Sequence, residues 1–150
     1  MTEAHIQPVA LCVFRRDDTI LVKEQYDPVR KETYFQPIGG KLRHGEYSWE
    51  SIRRAIKTEF GEEIRNLSFI GPMEEVSPPG KANGHEIVFM FEGEFSNQHP
   101  YLKKQLPDQG KSGNAAVWMP LQQFRRKKMR LYPKGLLDFL EAVPSPEHSA

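Results

Sequence analysis

The sequence has a single cysteine, and this scarcity excludes a disulfide-stabilised scaffold. Cys12 is the one cysteine of the 150 residues, so it has no partner for a bond within the chain. It lies in the apolar run VALCVF, where no basic neighbour would lower the thiol pKa. We therefore expect Cys12 to be a buried thiol rather than a nucleophile, and a reducing compartment, the cytoplasm, is the location that fits.

The sequence also lacks a long apolar run and an excess of charge of one sign. No stretch approaches the ~20 apolar residues needed to cross a bilayer, and the first residues show no basic segment followed by an apolar run, so neither a membrane protein nor a secretory signal is expected. The net charge of +1 gives no overall attraction for nucleic acid. The basic run Arg125–Arg130 is the local exception, and we interpret it as a solvated loop, leaving nucleic acid as a partner that is not favoured.

What is present is the size and patterning of one α+β domain. We predict a single domain over residues 1–143 and a disordered tail over 144–150. The apolar runs Val9–Arg15 and Ile20–Val22 predict a hairpin, and Glu24–Thr33 a loop. Further strands are predicted at 34–36, ending before a flexible Gly39-Gly40 pair, and at 67–76, 85–95 and 115–119. Helices are predicted at 48–60, 121–124 and 133–143. This order favours a mixed sheet covered by helices.

The predicted helix at 48–60 is amphipathic. Ser48 is the candidate N-cap and Gly61 the stop signal at the other end. Its apolar residues recur at helical spacing and should pack on the sheet: Trp49, Ile52, Ile56 and Phe60. The opposite flank is then available for chemistry.

The stretch from the glycine pair into this helix carries a specific spacing. Its fixed positions are Gly40, Glu46, Arg54, Ile56, Glu59 and Gly61. This spacing resembles the box of the Nudix hydrolase superfamily, G-x5-E-x7-R-E-U-x-E-E-x-G-U, where U is bulky and apolar. The order of strands around the helix and the late segment AVWMPLQQF are also similar to that family. The resemblance implies a Nudix-like α/β/α sandwich with a mixed sheet and flanking helices.

The resemblance also implies a reaction and a cofactor. Members hydrolyse a nucleoside diphosphate linked to another group, with Mg²⁺ or Mn²⁺ held by the box glutamates. The ions neutralise phosphate charge and activate the attacking water, and Mg²⁺ prefers carboxylate and carbonyl oxygens. By the resemblance, the Gly39 carbonyl and Glu59 would bind metal, and Gly40 and Lys41 would meet substrate phosphate.

Three further residues are expected to be structural parts of the box. Glu46 and Arg54 would pair to fasten the loop to the helix, and Gly61 would end the helix. Glu86, at the start of the strand GHEIVF, lies where some members carry a catalytic base. We therefore take Glu59 and Glu86 as the candidate catalytic residues, although a solvated strand-edge glutamate is the alternative for Glu86.

The box departs from the family pattern on its working face. Positions 55 and 58 are Ala55 and Thr58, where the family has glutamates, and Glu62 replaces the final apolar residue. Residues 55, 58 and 59 share one side of a helix. Only one of the three expected carboxylates, Glu59, remains there, so binding of Mg²⁺ or Mn²⁺ should be weakened.

Two functions follow from this departure. The first is a metal-dependent hydrolase of a nucleotide-like pyrophosphate with a degenerate metal site. The alternative is a Nudix-fold module that binds a nucleotide or RNA for regulation without catalysis. Substrate choice is expected to lie in the loops at 24–33, 77–84 and 96–113, and a homodimer is left open.

Overall fold

The computed structural model describes residues 5–109, 113–126 and 129–143, and the tail predicted over 144–150 lies outside them. The strands are β1 (Ile6–Val13), β2 (Arg15–Arg16), β3 (Thr19–Asp27), β4 (Glu32–Gln36), β5 (Ile38–Lys41), β6 (Ile64–Val76), β7 (His85–Phe95), β8 (Gln105–Leu106) and β9 (Ala116–Pro120). The helices are α1 (Ser48–Phe60), α2 (His99–Leu102), α3 (Leu121–Arg125) and α4 (Lys134–Ala142). No helix in these ranges is long and apolar enough to cross a membrane.

The strands form two sheets, and the larger elements confirm the α+β class. One sheet has the order β5-β1-β7-β6, in which β1 and β7 run parallel and the other pairs antiparallel. The other has the order β2-β3-β9-β8, with β4 also paired to β3. The first sheet is therefore mixed, as the order of elements predicted.

The predicted hairpin between the apolar runs at 9–15 and 20–22 is mostly wrong, because only its last residues pair with β3. Arg15 and Arg16 pair back onto Thr19 and Ile20, but β1 joins the other sheet between β5 and β7. The predicted loop Glu24–Thr33 is also too long, because β3 runs to Asp27 and β4 begins at Glu32. The glycine pair is not a flexible turn but part of β5, paired with β1.

Strand β1 separates two apolar clusters because its side chains alternate between the faces of the sheet. Ala10, Cys12 and Phe14 belong to the cluster that includes Ile52 and Ile56 of α1. Val9, Leu11 and Val13 belong to the cluster that contains residues of α3 and α4. The sheet layer therefore lies between α1 on one side and the C-terminal helices on the other, which confirms the predicted sandwich. Cys12 is fully buried, as expected for a structural thiol.

Helix α1 has the predicted bounds but a different cap and a shifted apolar face. Tyr47, not Ser48, is the N-cap residue, and its backbone N–H donates to Glu50 Oε1 at 3.0 Å. Gly61 ends the helix in the left-handed conformation, at φ 68°, as predicted. Trp49 does not join the core: it is 47% exposed and stacks on Tyr47.

Candidate active site

The loop that leads into α1 is fastened by the Glu46 carboxylate. Arg54 Nε and Nη2 donate to Glu46 Oε2 and Oε1 at 2.7 and 2.9 Å, and the Arg43 backbone N–H donates to the same Oε1 at 3.1 Å. The hydrogen bonds from Arg54 lower the pKa of Glu46 to about 2, against the opposing effect of burial. Glu46 and Arg54 therefore form the pair that the sequence predicted, and they fix the loop residues in front of the helix.

The two glycines of β5 have different surroundings. Gly39 has φ 147°, and a Cβ built on it would lie 2.0 Å from the carbonyl oxygen of Ala10 on β1. A Cβ on Gly40 would meet nothing within 4 Å. Gly39 is therefore required for close approach of two strands, whereas Gly40 opens the backbone to a ligand.

A cleft of about 150 Å³ lies between β5 and α1, and we call it the box cleft. It is lined by Gly39, Gly40, Lys41, Ser51, Arg54, Ala55, Thr58 and Glu59. Five of the predicted site residues line this cleft: Gly39, Gly40, Lys41, Arg54 and Glu59. Glu46 does not line the cleft but accepts two hydrogen bonds from Arg54, and Gly61 lies at the C-terminal end of α1. Ala55 and Thr58 present a methyl group and a hydroxyl where the family pattern has carboxylates.

Glu59, the carboxylate that remains on the working face of α1, is engaged by a lysine that sequence reasoning missed. Lys23 of β3 donates from Nζ to Glu59 Oε1 at 2.8 Å and to Asp108 Oδ2 at 2.9 Å. Burial raises the pKa of Glu59, and the contact with Lys23 only partly opposes this. For Lys23, burial would lower the pKa, but the hydrogen bonds to Glu59 and Asp108 outweigh it and raise the pKa. The ammonium therefore stays charged between two carboxylates.

The described residues do not fit the cluster of divalent ions that the family pattern implies. No group of three or more histidine, cysteine, aspartate or glutamate side chains among them is placed to hold a metal ion. The Lys23 ammonium already lies against the one box carboxylate, and two like unit charges 4 Å apart near a protein surface repel by about 4 kcal/mol. A divalent ion that shared Glu59 with the ammonium at such a separation would meet about twice that repulsion.

Glu86 lies in an adjoining cavity of about 190 Å³, which we call the tyrosine cleft. It is lined by Val9, Tyr34, Gln36, Gly40, Lys41, Pro79, Lys81, Glu86 and Tyr132. Gly40 and Lys41 line both clefts, so Lys41 lies between the two candidate catalytic carboxylates. The Glu86 carboxylate accepts a hydrogen bond from the Tyr132 hydroxyl and lies 3.7 Å from Lys81 Nζ. Burial, and then the contact with Glu86, raises the pKa of Tyr132 well above its usual range.

A larger cavity of about 670 Å³ continues from the tyrosine cleft, and we call it the basic pocket. It shares Tyr34, Pro79 and Tyr132 with that cleft, and its wall includes the cations of Arg30, Arg130 and Lys134 and apolar groups of Phe124, Met129 and Leu137. Tyr34 is half-buried here, with its ring edge-on to Tyr132, whereas Phe35 is core and Tyr26 is exposed.

The fully buried Asp27 holds the rim of the basic pocket. Asp27 Oδ1 accepts the backbone N–H groups of Val29 and Arg30, and Oδ2 accepts from the Arg30 guanidinium at 3.1 Å. Arg30 also donates to the carbonyl of Ser77 at 3.0 Å, which ties the loop at 28–31 to the loop at 77–84. Burial alone would raise the pKa of Asp27, but the hydrogen bonds from Arg30 and neighbouring backbone groups lower it.

The ends of the basic run are held in ion pairs. Arg125 contacts Glu141 at 3.2 Å, and Arg130 pairs with Glu32. Lys127 and Lys128 lie outside the described residues. Two of the described residues of this run are therefore held by carboxylates of other segments, and its lack of a nucleic-acid role stays a prediction.

Comparison with known proteins decides the family. The model of the NUDIX domain matches residues 5–140, which is most of the chain. The chain belongs to the NUDIX domain family. No curated protein matches the chain significantly.

The fold of this NUDIX domain is shared with solved structures of low sequence identity. The solution structure of the E. coli ORF135 protein has 17% identity and a TM-score of 0.66, with 98% of this chain and 96% of that chain covered. A NUDIX hydrolase from Nitrosomonas europaea has 18% identity and a TM-score of 0.66, with 97% and 100% covered. A MutT NUDIX hydrolase from Burkholderia pseudomallei has 16% identity and a TM-score of 0.59, with 79% and 85% covered. At these identities the likeness shows the fold alone.

Proposed function

We propose that this NUDIX domain hydrolyses a nucleoside-diphosphate-linked or related pyrophosphate bound beside Lys41. The observation that carries the proposal is the position of Lys41 and Gly40, which line both the box cleft and the tyrosine cleft. An ammonium and an open glycine backbone at one point suit a pyrophosphate, because both groups approach phosphate oxygens closely. Membership of the family supports hydrolysis of such a bond.

The cavities assign parts of the ligand to parts of the protein. The pyrophosphate would lie along β5 at Gly40 and Lys41. The group on one side of it would extend over Tyr34 into the basic pocket, whose wall carries Lys134, the carboxylate of Glu75 and two arginines, Arg30 and Arg130, that are each paired with a carboxylate. This pocket is large enough for a nucleoside or a group of similar size.

Glu86 is the proposed base that activates water. It lines the same cleft as Lys41, and a carboxylate in reach of the anhydride would accept the proton of the attacking water. Its hydrogen bond with Tyr132 and its approach to Lys81 hold the carboxylate in place. By the resemblance to the Nudix box, the Gly39 carbonyl and Glu59 would bind Mg²⁺ or Mn²⁺. Because the donor set is poor and Lys23 engages Glu59, we assign no catalytic step to such an ion.

The second candidate is a module that binds the same class of ligand without hydrolysing it. The contact of Lys23 with Glu59, together with Ala55 and Thr58 on the helix, favours this candidate. Both candidates require the same ligand position and differ only in turnover.

One assay separates the two candidates. The folded chain is incubated with a panel of nucleoside diphosphate derivatives in Mg²⁺ or Mn²⁺, and mononucleotide and phosphate products are measured alongside ligand affinity. We expect turnover, and Lys41→Met should reduce kcat/KM by about tenfold or more because one charged contact to phosphate is lost. Arg43→Met is the matched control: Arg43 is an exposed cation two residues away that lines neither cleft, and its loss should change kcat/KM by less than about twofold.

The outcomes are distinct. Binding that depends on Lys41 without turnover would assign the chain to the second candidate. A folded protein that neither binds nor hydrolyses any member of the panel would contradict both. The cytoplasmic location and the oligomeric state stay predictions.

A further inference from the structure

Lys23 has a position that the motif does not explain. It comes from the middle of β3, in the second sheet, yet its ammonium reaches the one carboxylate left on the working face of α1. The residue is only 9% exposed. A buried lysine loses hydration and side-chain freedom, so its presence at this point needs a compensating interaction, which the two carboxylates provide.

The surroundings of Lys23 are built from three separate parts of the chain. Glu59 is on α1, and Asp108 is on the segment that follows β8. That segment is fixed to the end of α1, because the backbone N–H of Gln109 donates to the carbonyl of Glu59 at 2.6 Å. A Cβ on Gly113 would come within 2.8 Å of Asp108 Oδ2 and 3.1 Å of Lys23 Nζ, so the backbone also closes over the group. The ammonium is thus enclosed rather than resting on a surface.

The geometry points to Lys23 as the built-in cation of this site, which takes the place of a divalent ion at Glu59. Its Nζ lies 2.8 and 2.9 Å from the two carboxylate oxygens, so the same two oxygens face a common point. Mg²⁺ and Mn²⁺ are commonly held by one or two carboxylates with water and phosphate completing the shell. While Lys23 is present, a divalent ion at this point would have to displace it. The inference rests on the proposed function only for the identity of the substrate, a pyrophosphate, that the site would bind.

The inference has a direct consequence for substitutions at position 23. Lys23→Met keeps the length of the side chain and removes the charge, so a divalent ion at Glu59 would no longer meet the repulsion of the ammonium. Lys23→Arg keeps the positive charge and is the matched control. Adding Glu59→Gln to Lys23→Met removes one carboxylate and should abolish binding of the ion.

The experiment is calorimetric titration of Mn²⁺ into the wild-type chain, these three variants and the single variant Glu59→Gln, without substrate. We expect no saturable Glu59-dependent binding to the wild type or to Lys23→Arg. Binding to Lys23→Met should be tighter by at least about tenfold, and this gain should be lost in Lys23→Met/Glu59→Gln. Saturable Mn²⁺ binding to the wild type that disappears in Glu59→Gln would overturn the inference, and so would a folded Lys23→Met that gains no affinity.

Thermal unfolding gives a second readout in case Lys23→Met is poorly folded. Mn²⁺ should raise the Tm of Lys23→Met and leave that of Lys23→Arg unchanged, because an ion that binds only the folded state stabilises it. Failure of Mn²⁺ to stabilise Lys23→Met would count against the inference. These measurements involve no turnover, so a metal-free wild type that is also inactive would leave the inference standing while the hydrolase proposal failed.

Discussion

Glu46 illustrates at the scale of one residue how an ion pair sets the acid stability of the box loop. Its pKa of about 2 in the folded chain is below the ordinary 4.5, mainly because Arg54 donates two hydrogen bonds to it. A carboxylate with a lowered pKa stabilises the fold above its ordinary pKa, and this contribution is lost as pH falls from about 4.5 through about 2.

Glu46→Gln should therefore lower the free energy of unfolding at pH 7 by about 1 to 2 kcal/mol, since Arg54 is partly exposed and the pair is screened. The difference from the wild type should shrink as the pH approaches 2. Glu63→Gln is the control: its pair with Lys57 has both side chains more than 60% exposed, and it should cost under about 0.5 kcal/mol. Urea unfolding at several pH values measures both. Equal costs at pH 7 and pH 2 would contradict the assignment.

Residues of the site divide into those that belong to the motif and those that do not. Glu46 and Arg54 were predicted because both are fixed positions of the Nudix box that the sequence resembles. Lys23 and Asp108 were not, because their contact joins segments 85 positions apart and neither belongs to a motif. The same holds for Tyr132, which is 46 positions from Glu86. Only the packing of both sheets and the late loop brings such residues together.

At the scale of elements, strand β5 depends on a glycine that approaches a neighbouring backbone. Gly39 pairs with Leu11 on β1, and its φ of 147° belongs to a region that favours glycine. Gly39→Ala should lower the free energy of unfolding by about 3 kcal/mol or more, because both the backbone angle and the Ala10 carbonyl oppose a Cβ.

Gly40→Ala is a control in the next position of the same strand. It has open space for a methyl group and should change stability by less than about 1 kcal/mol. Thermal unfolding followed by circular dichroism compares the two variants, and a loss of 3 kcal/mol corresponds to a fall in Tm of roughly 6 to 12 °C for a chain of this size. A Gly39→Ala protein as stable as Gly40→Ala would contradict the close approach of β5 and β1.

The elements themselves were predictable where their patterns are local and strong. The strand at 85–95 and the helix at 48–60 have the predicted bounds because their periodicity and end signals extend over three or more turns or pairs. The pairing of β1 was not predictable, since an apolar strand buried on both faces does not reveal its neighbours. The packing of Trp49 was wrongly predicted because helical spacing defines a face but not which of its residues other elements cover.

At the scale of the whole molecule, three adjoining cavities form one path across the domain. The box cleft and the tyrosine cleft share Gly40 and Lys41, and the tyrosine cleft and the basic pocket share Tyr34, Pro79 and Tyr132. Two of the loops predicted to govern selectivity, of which the structure shortens the first to residues 28–31 and leaves the second at 77–84, are joined by Arg30 at the rim of the basic pocket. The family pattern predicted the glycines and Lys41, whereas the basic pocket depends on loops outside the motif.

Binding of a nucleotide-like pyrophosphate along this path at Gly40 and Lys41 is tested by two-dimensional NMR of the 17.3 kDa chain. The isotope-labelled protein is titrated with a methylene-bridged analogue of ADP, with and without Mg²⁺. We predict saturable shifts of the backbone amides of Gly39, Gly40 and Lys41 and of residues around Tyr34. Such binding would be contradicted by shifts confined to the separate cavity lined by Arg15, Arg16 and Arg65, or by no shifts at all.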